Sequence, residues 1–580
     1  MDSKSFFTRI KILSAIFVCG LICFCWLIAS RSTHQIFDPM TPLSSHKIEA
    51  MFYVENPESG SITCVGDGLI NTSNEITNNI ELVKNFILSF PDYTNYLPNG
   101  FTVVWNSIEE NNGQFSVLGY ITSNTDSSPN NIASFTNIAA MKRAALQEGQ
   151  FAKTYYYQSE GDFGGALYQI SIIPLYNHPN LSIKLNNGLY ANIQIANGII
   201  NVASMGIFPN QDMAPQFYKL EKALNSNVTE YRFNNGTYYL SSPIKLGGFT
   251  YTGSSSTTWA VDPNFTQKTY RIVRLDSKDW NNVPQNLTIK NINFLYEINK
   301  NSVLTQGEAI LLAVAGCENC NIYNCTFTAR PAQKDGCFAK ADLLWFRDGL
   351  TNNIRIENSR FDNYSCTENT TTHRIGGCFW YMGDNEQIVD SVIVNNSSFT
   401  NTNSDEAVGL WTTGGTGVFK HVEFNNCSFK SAVHQSDGIV GINSAQFEKV
   451  LFNECSFQSN IGTKKLLYFY KVKPTELTDI NVKNCSFINN NLDPNSMVPG
   501  DGDINCYIYV INNQQEAWTL NVEKCSFKSL TNDYVIRNIV NLTNSRAVVC
   551  NFDETNTVDV NTSAQHLSRK AYSGYFYPAE

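Results

Sequence analysis

Charge is scarce in this chain, and that scarcity excludes a first group of functions. Lys, Arg, Asp and Glu together make up only 16% of 580 residues, and no run of Lys or Arg is long enough to form a basic surface. With a formal net charge of -10, the protein has no means of neutralising a phosphate backbone, and nucleic acid is not an expected partner. Apolar residues nevertheless reach 42% and aromatics 12%, so the chain is not a disordered one. It is also too long for one ordinary compact core, which leaves several domains or one elongated repeat body.

Long apolar runs are equally rare, with one exception. Residues Ile12 to Ala29 form a charge-free stretch long enough to cross a bilayer as a helix. Lys4, Arg9 and Lys11 precede it while Arg31 follows almost alone, so the positive-inside bias predicts a cytoplasmic N-terminus and a body on the outer side. The residues around Leu27, Ile28, Ala29 and Ser30 make a poor peptidase site, which favours an anchor over a cleaved signal. Cys19, Cys23 and Cys25 lack the small preceding residue of a lipoprotein box. The expectation is a single-pass membrane protein.

What the chain does contain is a repeat. An apolar-x-apolar pair, Asn, Cys or Ser, a polar residue and Phe recur as Ile354-Arg-Ile-Glu-Asn-Ser-Arg-Phe361, Val392-Ile-Val-Asn-Asn-Ser-Ser-Phe399, Val422-Glu-Phe-Asn-Asn-Cys-Ser-Phe429, Val450-Leu-Phe-Asn-Glu-Cys-Ser-Phe457, Ile480-Asn-Val-Lys-Asn-Cys-Ser-Phe487 and Leu520-Asn-Val-Glu-Lys-Cys-Ser-Phe527. Weaker copies run from Cys320 to Phe327 and from Leu287 to Phe294. A period of this order, roughly 25 to 40 residues, is the mark of a solenoid. Within each unit, two pairs of inward residues are separated by three positions instead of two, so one residue must absorb a bend. Asn is the usual non-glycine residue at a left-handed corner, which explains Asn324, Asn358, Asn396, Asn426 and Asn484. The fold predicted is all-β: a right-handed parallel β-helix from about Asn210 to Glu554, with like side chains stacked on like.

The same pattern assigns the cysteines. Cys325, Cys427, Cys455, Cys485 and Cys525 fall on an inward ladder as small buried thiols. Cys337, Cys366 and Cys378 lie off it and are candidates for a loop disulfide whose pairing spacing cannot supply. Cys317-x-x-Cys320 has no His near it, and Cys325 belongs to the ladder, so no metal site and no cofactor is expected.

Two stretches ahead of the repeats resemble the pectate-lyase superfamily as found in phage tailspike-like and surface polysaccharide-acting proteins. The first runs from Ile138-Ala-Ala-Met141 through Tyr155-Tyr-Tyr157 and Gly161-Asp-Phe-Gly-Gly165 to Leu185-Asn-Asn-Gly188. The second is Leu220-Glu-Lys-Ala-Leu224 followed by Tyr231-Arg-Phe233-Asn-Asn-Gly236 and Pro243-Ile-Lys-Leu246. The resemblance implies a linker module, then a short helix capping the open end of the solenoid, with the first strands turning at Gly236. It carries fold and not activity. Where relatives hold paired aspartates, this chain reads Asn210-Gln-Asp-Met-Ala-Pro215, and neither a polygalacturonase-like motif set nor a lyase arginine signature is present. The domain reading is a tip and anchor over 1–30, a stalk or β-rich spacer over 31–132 with a helix over Ile80 to Phe90, a linker module over 133–209, the solenoid over 210–554 and a tail over 555–580.

Candidate chemistry lies along one flank. Ser404-Asp-Glu-Ala-Val-Gly-Leu-Trp411 matches Ser436-Asp-Gly-Ile-Val-Gly-Ile-Asn443, which sets Asp405 and Asp437 one coil apart, with Glu406 beside the first. The strand pattern extends this column to Asp342 and Lys465, with Arg374 and His434 near in sequence. Paired carboxylates suit glycoside hydrolysis, and carboxylates beside Lys or Arg suit β-elimination from a uronate. The bland reading of Ser-Asp before a strand is a turn cap. Trp345, Tyr381, Trp411, Tyr468, Tyr470, Tyr507 and Tyr509 are expected to face outward as a sugar-stacking stripe, while Trp380 and Phe469 are expected inside. Among the Asn-x-Ser/Thr sequons, those at Asn324, Asn396, Asn426 and Asn484 are expected at a buried corner, leaving Asn71, Asn180, Asn264, Asn369 and Asn561 as glycan acceptors. The partner expected is a polysaccharide or cell-surface glycan, bound and open to cleavage by hydrolase or lyase chemistry. The rival is a non-catalytic adhesion or structural spike.

Overall fold

The computed structural model describes the backbone of five strands between His46 and Ser123 and, with breaks, residues 132–559. The breaks that matter below are 218–227, 332–339, 365–375, 402–405, 432–437, 460–464, 490–505 and 512–517. The anchor segment Ile12 to Ala29, the helix expected over Ile80 to Phe90 and the capping segment Leu220 to Leu224 lie outside the described residues. Among the described residues, no helix is long and apolar enough to cross a membrane.

The chain divides into two compact units, Met1–Ser134 with Gly149–Lys153 and Ala166–Gln169, and Phe135–Glu148 with Thr154–Gly165 and Ile170–Glu580. The first holds an antiparallel sheet whose longest strands, Phe101–Asn111 and Gln114–Ser123, pair on either side of Asn112-Gly113. In the second unit, the short helix Ile138–Arg143 begins where the Asn137 side chain accepts a hydrogen bond from the Ala140 amide at 2.9 Å, and it buries Ile138 and Met141.

From Ile199 the second unit winds into a parallel β-helix. Sheet I runs from Ile199–Asn201 to Val548–Phe552, sheet II from Gly236–Leu240 to Thr557–Asp559, and sheet III from Ile244–Lys245 to Asn538–Asn541. Each coil gives one strand to each sheet in turn, and every described pairing inside the three sheets is parallel. The connections take the right-handed course that parallel crossovers adopt. Phe217 plugs the first coils, its ring 5.8–6.2 Å from those of Tyr231, Phe233, Tyr251 and Trp259.

The repeat corner is built as its spacing requires. Asn291, Asn324, Asn358, Asn396, Asn426 and Asn484 all take positive φ between 49 and 55°. Glu454 and Lys524 take the same conformation where the repeat has no Asn, so the corner is imposed by the coil and not by the residue. Asn324, Asn396, Asn426 and Asn484 are exposed, contrary to the buried corner expected from the repeat. The bend turns the side chain at the corner out of the coil, where amides link along the ladder, as from Asn426 to Asn396 at 2.9 Å.

One residue past the corner sits the ladder of cysteines. Cys427, Cys455, Cys485 and Cys525 are buried and reduced, each thiol donating to a carbonyl of its own corner and to one of the coil before, as Cys455 does to Asn453 at 3.4 Å and Phe424 at 3.3 Å. Burial pushes the Cys325 thiol up to about 12. Cys378 corrects the loop-disulfide reading: it is a free, fully buried thiol inside the coil, driven well up by burial and by the charges of Asp362 and Asp342. Cys337 and Cys366 lie outside the described residues. Cys317 and Cys320 are buried in one strand of sheet I.

Phenylalanine forms the spine. Phe294, Phe327, Phe361, Phe399, Phe429, Phe457, Phe487 and Phe527 stack in file, with successive centroids 4.5–5.3 Å apart. Since Phe457 is fully buried and stacked on both sides, Phe457→Ala should cost about 3–5 kcal/mol. Chemical denaturation is the measurement; a loss below about 1 kcal/mol would remove Phe457 from the core.

Candidate functional site

Sheet III presents its outer face in three registered columns. Its inner positions are Leu344, Phe379, Val408, Val440, Leu467 and Ile508, all fully buried. The next residue in each strand points the other way, so Trp345, Trp380, Gly409, Gly441, Tyr468 and Tyr509 form one outer column. Two residues further on come Arg347, Met382, Trp411, Asn443, Tyr470 and Ile511.

Ahead of the inner column the alternation breaks. Leu343, Cys378, Ala407, Ile439, Leu466 and Tyr507 are fully buried although they adjoin inward residues. The chain is entering sheet III at a corner, and buried amides brace it. Asn363 donates to the Ala341 and Gly377 carbonyls at 2.6 and 3.0 Å, and Asn401 donates to those of Gly376 and Glu406, both at 3.2 Å. The residues one step earlier therefore return to the outside, giving a third column of Asp342, Gly377, Glu406, Gly438, Lys465 and Cys506.

Three assignments are corrected here. Tyr507 was expected outside but packs inside against Phe487 and Phe527 at 6.3 and 5.4 Å, and burial, then the Asp559 charge, raises its phenol. Tyr381 is likewise internal, stacked on Phe346 at 6.1 Å. Trp380, expected inside, is outside, in a cluster with Trp345 and the partly exposed Met382 and Trp411. Tyr507 goes in because two successive residues face inward at the corner, whereas Phe379, Trp380 and Tyr381 alternate regularly.

The outer cluster also differs from a row of bare rings. Trp345, Trp380, Tyr468 and Tyr509 are only 2–6% exposed, while Trp411, Tyr470, Arg347 and Lys465 are half-buried. Glycine explains the packing. A Cβ at Gly377 would lie 1.5 Å from the Trp380 indole nitrogen, and Cβ atoms at Gly441 and Gly438 would lie 2.6 and 2.9 Å from the Tyr468 ring. Tyr468 thus lies down across two glycines of the preceding coil, and its hydroxyl donates to the carboxylate of Glu406 on the coil before that. Glu406 is 2% exposed, on the outer face of a sheet, where burying a carboxylate contributes nothing to the core and carries a desolvation cost. The Lys465 ammonium lies 4.6 Å from the Tyr468 ring and 5.0 Å from that of Tyr509. Asp342, also buried, accepts a hydrogen bond from the Gly377 amide at 2.8 Å.

Glu406, Lys465 and Tyr468 are therefore brought together, with Tyr509 beside them and Trp345 and Trp411 in the neighbouring cluster. Asp342 and Lys465 share their column with Glu406 and Gly438, one residue along from the column assigned from the Ser-Asp match. Asp405, Asp437, Arg374 and His434 lie outside the described residues. Residues missed from the sequence are Asn401, which braces the peptide of Glu406, the steps at Gly438 and Gly441, and Arg347, whose guanidinium lies 4.8 Å from the Trp345 ring. Val-Gly-aliphatic recurring at Gly409 and Gly441 was the available signal for the glycine step.

The chain is thus a parallel β-helix protein with a polar and aromatic cluster outside its third sheet. Among solved structures it is similar to the tailspike protein of Acinetobacter phage vB_ApiP_P1, at 11% identity over 77% of this chain and 74% of that one, with a TM-score of 0.42. It is also similar to tailspike protein gp49 of Acinetobacter baumannii bacteriophage Fri1, a capsular polysaccharide depolymerase, at 12% identity over 74% and 69% and a TM-score of 0.32. A third is Pantoea stewartii WceF, a glycan biofilm modifying enzyme, at 11% identity over 78% and 62% and a TM-score of 0.31. No protein-family model and no curated protein matches the chain. The fold rests on the strand register above.

Removing the Tyr468 hydroxyl takes a donor from a buried carboxylate, so Tyr468→Phe should cost about 1–3 kcal/mol. In a double-mutant cycle with Glu406→Gln, the two changes should couple by at least about 0.5 kcal/mol. Additive unfolding energies would mean that the hydroxyl and the carboxylate do not act on each other.

Proposed function

We propose that this chain binds polysaccharide along the outer face of sheet III and cleaves it there. The observation that carries this reading is the buried Glu406 carboxylate, engaged by Tyr468 with Lys465 alongside, on the outside of a solenoid where a polar group is free to stay in water. Strongly desolvated charge beside a cation and a phenol is the environment in which side chains become acids and bases. Asp342 lies two coils from Glu406 in the same column, about 10 Å between Cα atoms at about 4.8 Å per coil. Carboxylates that act through an interposed water stand about 6.5–9.5 Å apart, so hydrolysis with inversion suits this spacing better than attack by a carboxylate close at hand. Glu406 is cast as the acid and Asp342 as the base. Lys465 and Tyr468 set the charge around Glu406, and the Trp345, Trp380 and Trp411 cluster supports the bound sugar. Asp405 and Asp437 directly precede Glu406 and Gly438 in sequence and belong to the same proposal as flanking carboxylates, with Arg374 and His434 as substrate contacts.

The test uses the purified protein and a panel of neutral and acidic polysaccharides, reading both reducing ends and ultraviolet absorbance from unsaturated products. Glu406→Gln and Asp342→Asn should each lower cleavage by at least about a hundredfold, roughly 2.7 kcal/mol in the barrier, with little change in melting temperature. Unsaturated products would replace hydrolysis by elimination. Full activity in both variants would dismiss the pair, and binding without cleavage by the unmodified protein would favour the rival adhesion spike.

We place this body outside a membrane, held by Ile12 to Ala29, on the strength of the charge asymmetry around that segment. Protease added to intact cells should then remove everything beyond about residue 35. Complete protection of the solenoid would reverse the orientation.

A further inference from the structure

A second outer face of the solenoid also holds a buried carboxylate. Phe361 stands in the phenylalanine file between Phe327 and Phe399, so its neighbours Arg360 and Asp362 point out of sheet II. The register sets Asp362 between Thr328 of the coil before and Thr400 of the coil after. Both threonines are half-buried, yet Asp362 is only 4% exposed. A carboxylate left in water on such a face carries no desolvation cost, so its burial calls for a reason.

Only half of that carboxylate is used. The Arg360 guanidinium donates from Nε to Oδ2, and no donor among the described residues reaches Oδ1. Asp162 shows how the chain treats a carboxylate elsewhere: it accepts four backbone amides at 2.6–3.0 Å. A buried charged acceptor left open is costly, and what fits the opening is a donor.

The surroundings narrow the donor. Arg360 balances the charge of Asp362 on the spot, so an ammonium or metal ion would meet the guanidinium, and an anion would meet the carboxylate. A neutral donor remains. Arg360 also donates to the Tyr364 phenol, whose other side-chain partner is the Thr400 hydroxyl. Arg360 is exposed and Tyr364 half-buried, so both meet solvent and offer N–H groups, a hydroxyl and an aromatic face. A ligand that donates one hydroxyl, accepts at the next oxygen and lays an apolar face on a phenol is a sugar.

We infer that Arg360, Asp362, Tyr364 and Thr400 form a binding site for a neutral sugar on the outer face of sheet II. One sugar hydroxyl donates to Asp362 Oδ1, and the adjoining oxygen accepts from Arg360. Tyr364 lies just past the end of its strand, Arg360–Asn363, so its ring gives way to the ligand without disturbing the ladder. The site is separate from the cluster on sheet III and does not require that cluster to be catalytic.

The full-length protein would be titrated with methyl glycosides of glucose, galactose, mannose and N-acetylglucosamine, and with glucuronate as the charged comparison, by calorimetry and ligand-observed NMR. At least one neutral glycoside should bind with a Kd on the order of 1 mM, and more tightly than glucuronate. Asp362→Asn and Arg360→Gln should each weaken this binding at least about tenfold, and the component they remove should persist in Glu406→Gln. Melting temperature separates a ligand site from a structural ion pair. A carboxylate oxygen kept open contributes nothing to the empty fold, so Asp362→Asn should melt within about 2 °C of the unmodified protein. A fall of several degrees, tighter binding of glucuronate, no component lost in Asp362→Asn, or no binding of any neutral glycoside overturns the site. Each of these leaves the sheet III reading standing, because that reading is decided by cleavage.

Discussion

Everything on the surface of this molecule depends on one constraint, the stacking of like on like from coil to coil. The phenylalanine file from Phe294 to Phe527 keeps successive rings within 4.5–5.3 Å, close to the spacing of adjacent strands. A ring that fits one coil has the same neighbour above and below, and its edge and face are satisfied by copies of itself. A slip of one residue in any strand would turn this row outward, so the core enforces register along the whole stack. The left-handed corners serve the same end. They recur at Glu454 and Lys524 where Asn is absent, because a coil that did not bend there would lose its place in the file.

With register secured inside, the outside is free to vary, and the outer face of sheet III uses that freedom. In one column the side chains run Trp345, Trp380, Gly409, Gly441, Tyr468 and Tyr509, large at both ends and absent in the middle. The glycines open a step, and Tyr468 lies down into it until its hydroxyl meets Glu406. A residue with a Cβ at Gly441 would lift the ring away and separate the phenol from the carboxylate. The polar contact is therefore a consequence of missing atoms on the coil between them.

The energetic balance of this cluster is unlike that of the core. Phenylalanine burial stabilises by about 1.5–3 kcal/mol per ring whatever surrounds it. A buried carboxylate starts with a penalty, which hydrogen bonds and a nearby cation offset only when geometry is good. Asn401 holds the peptide of Glu406, Tyr468 holds its side chain, and Lys465 is held in turn by two rings. Such mutual support on a surface that would otherwise be solvated is what the proposed chemistry rests on.

The repeat made the fold legible from sequence. Apolar residues two apart, a three-residue gap and Asn in the gap determined the inward ladders, the corners and the reduced thiols at Cys325, Cys427, Cys455, Cys485 and Cys525, because period and bend are local properties of a strand. Glu406, Lys465, Tyr468, Trp345 and Trp411 were also marked by type and position. Only the tertiary structure decided which neighbours lie outside. Tyr507 went in because two consecutive residues turn inward where the chain enters sheet III. Tyr381 also went in and Trp380 came out, and the asparagines proved exposed because the left-handed bend turns them out of the coil. The brace from Asn401 and the fall of Tyr468 across Gly441 and Gly438 were likewise out of reach. They join residues from different coils, and no pattern along one strand records how far a ring leans into the space its neighbours leave.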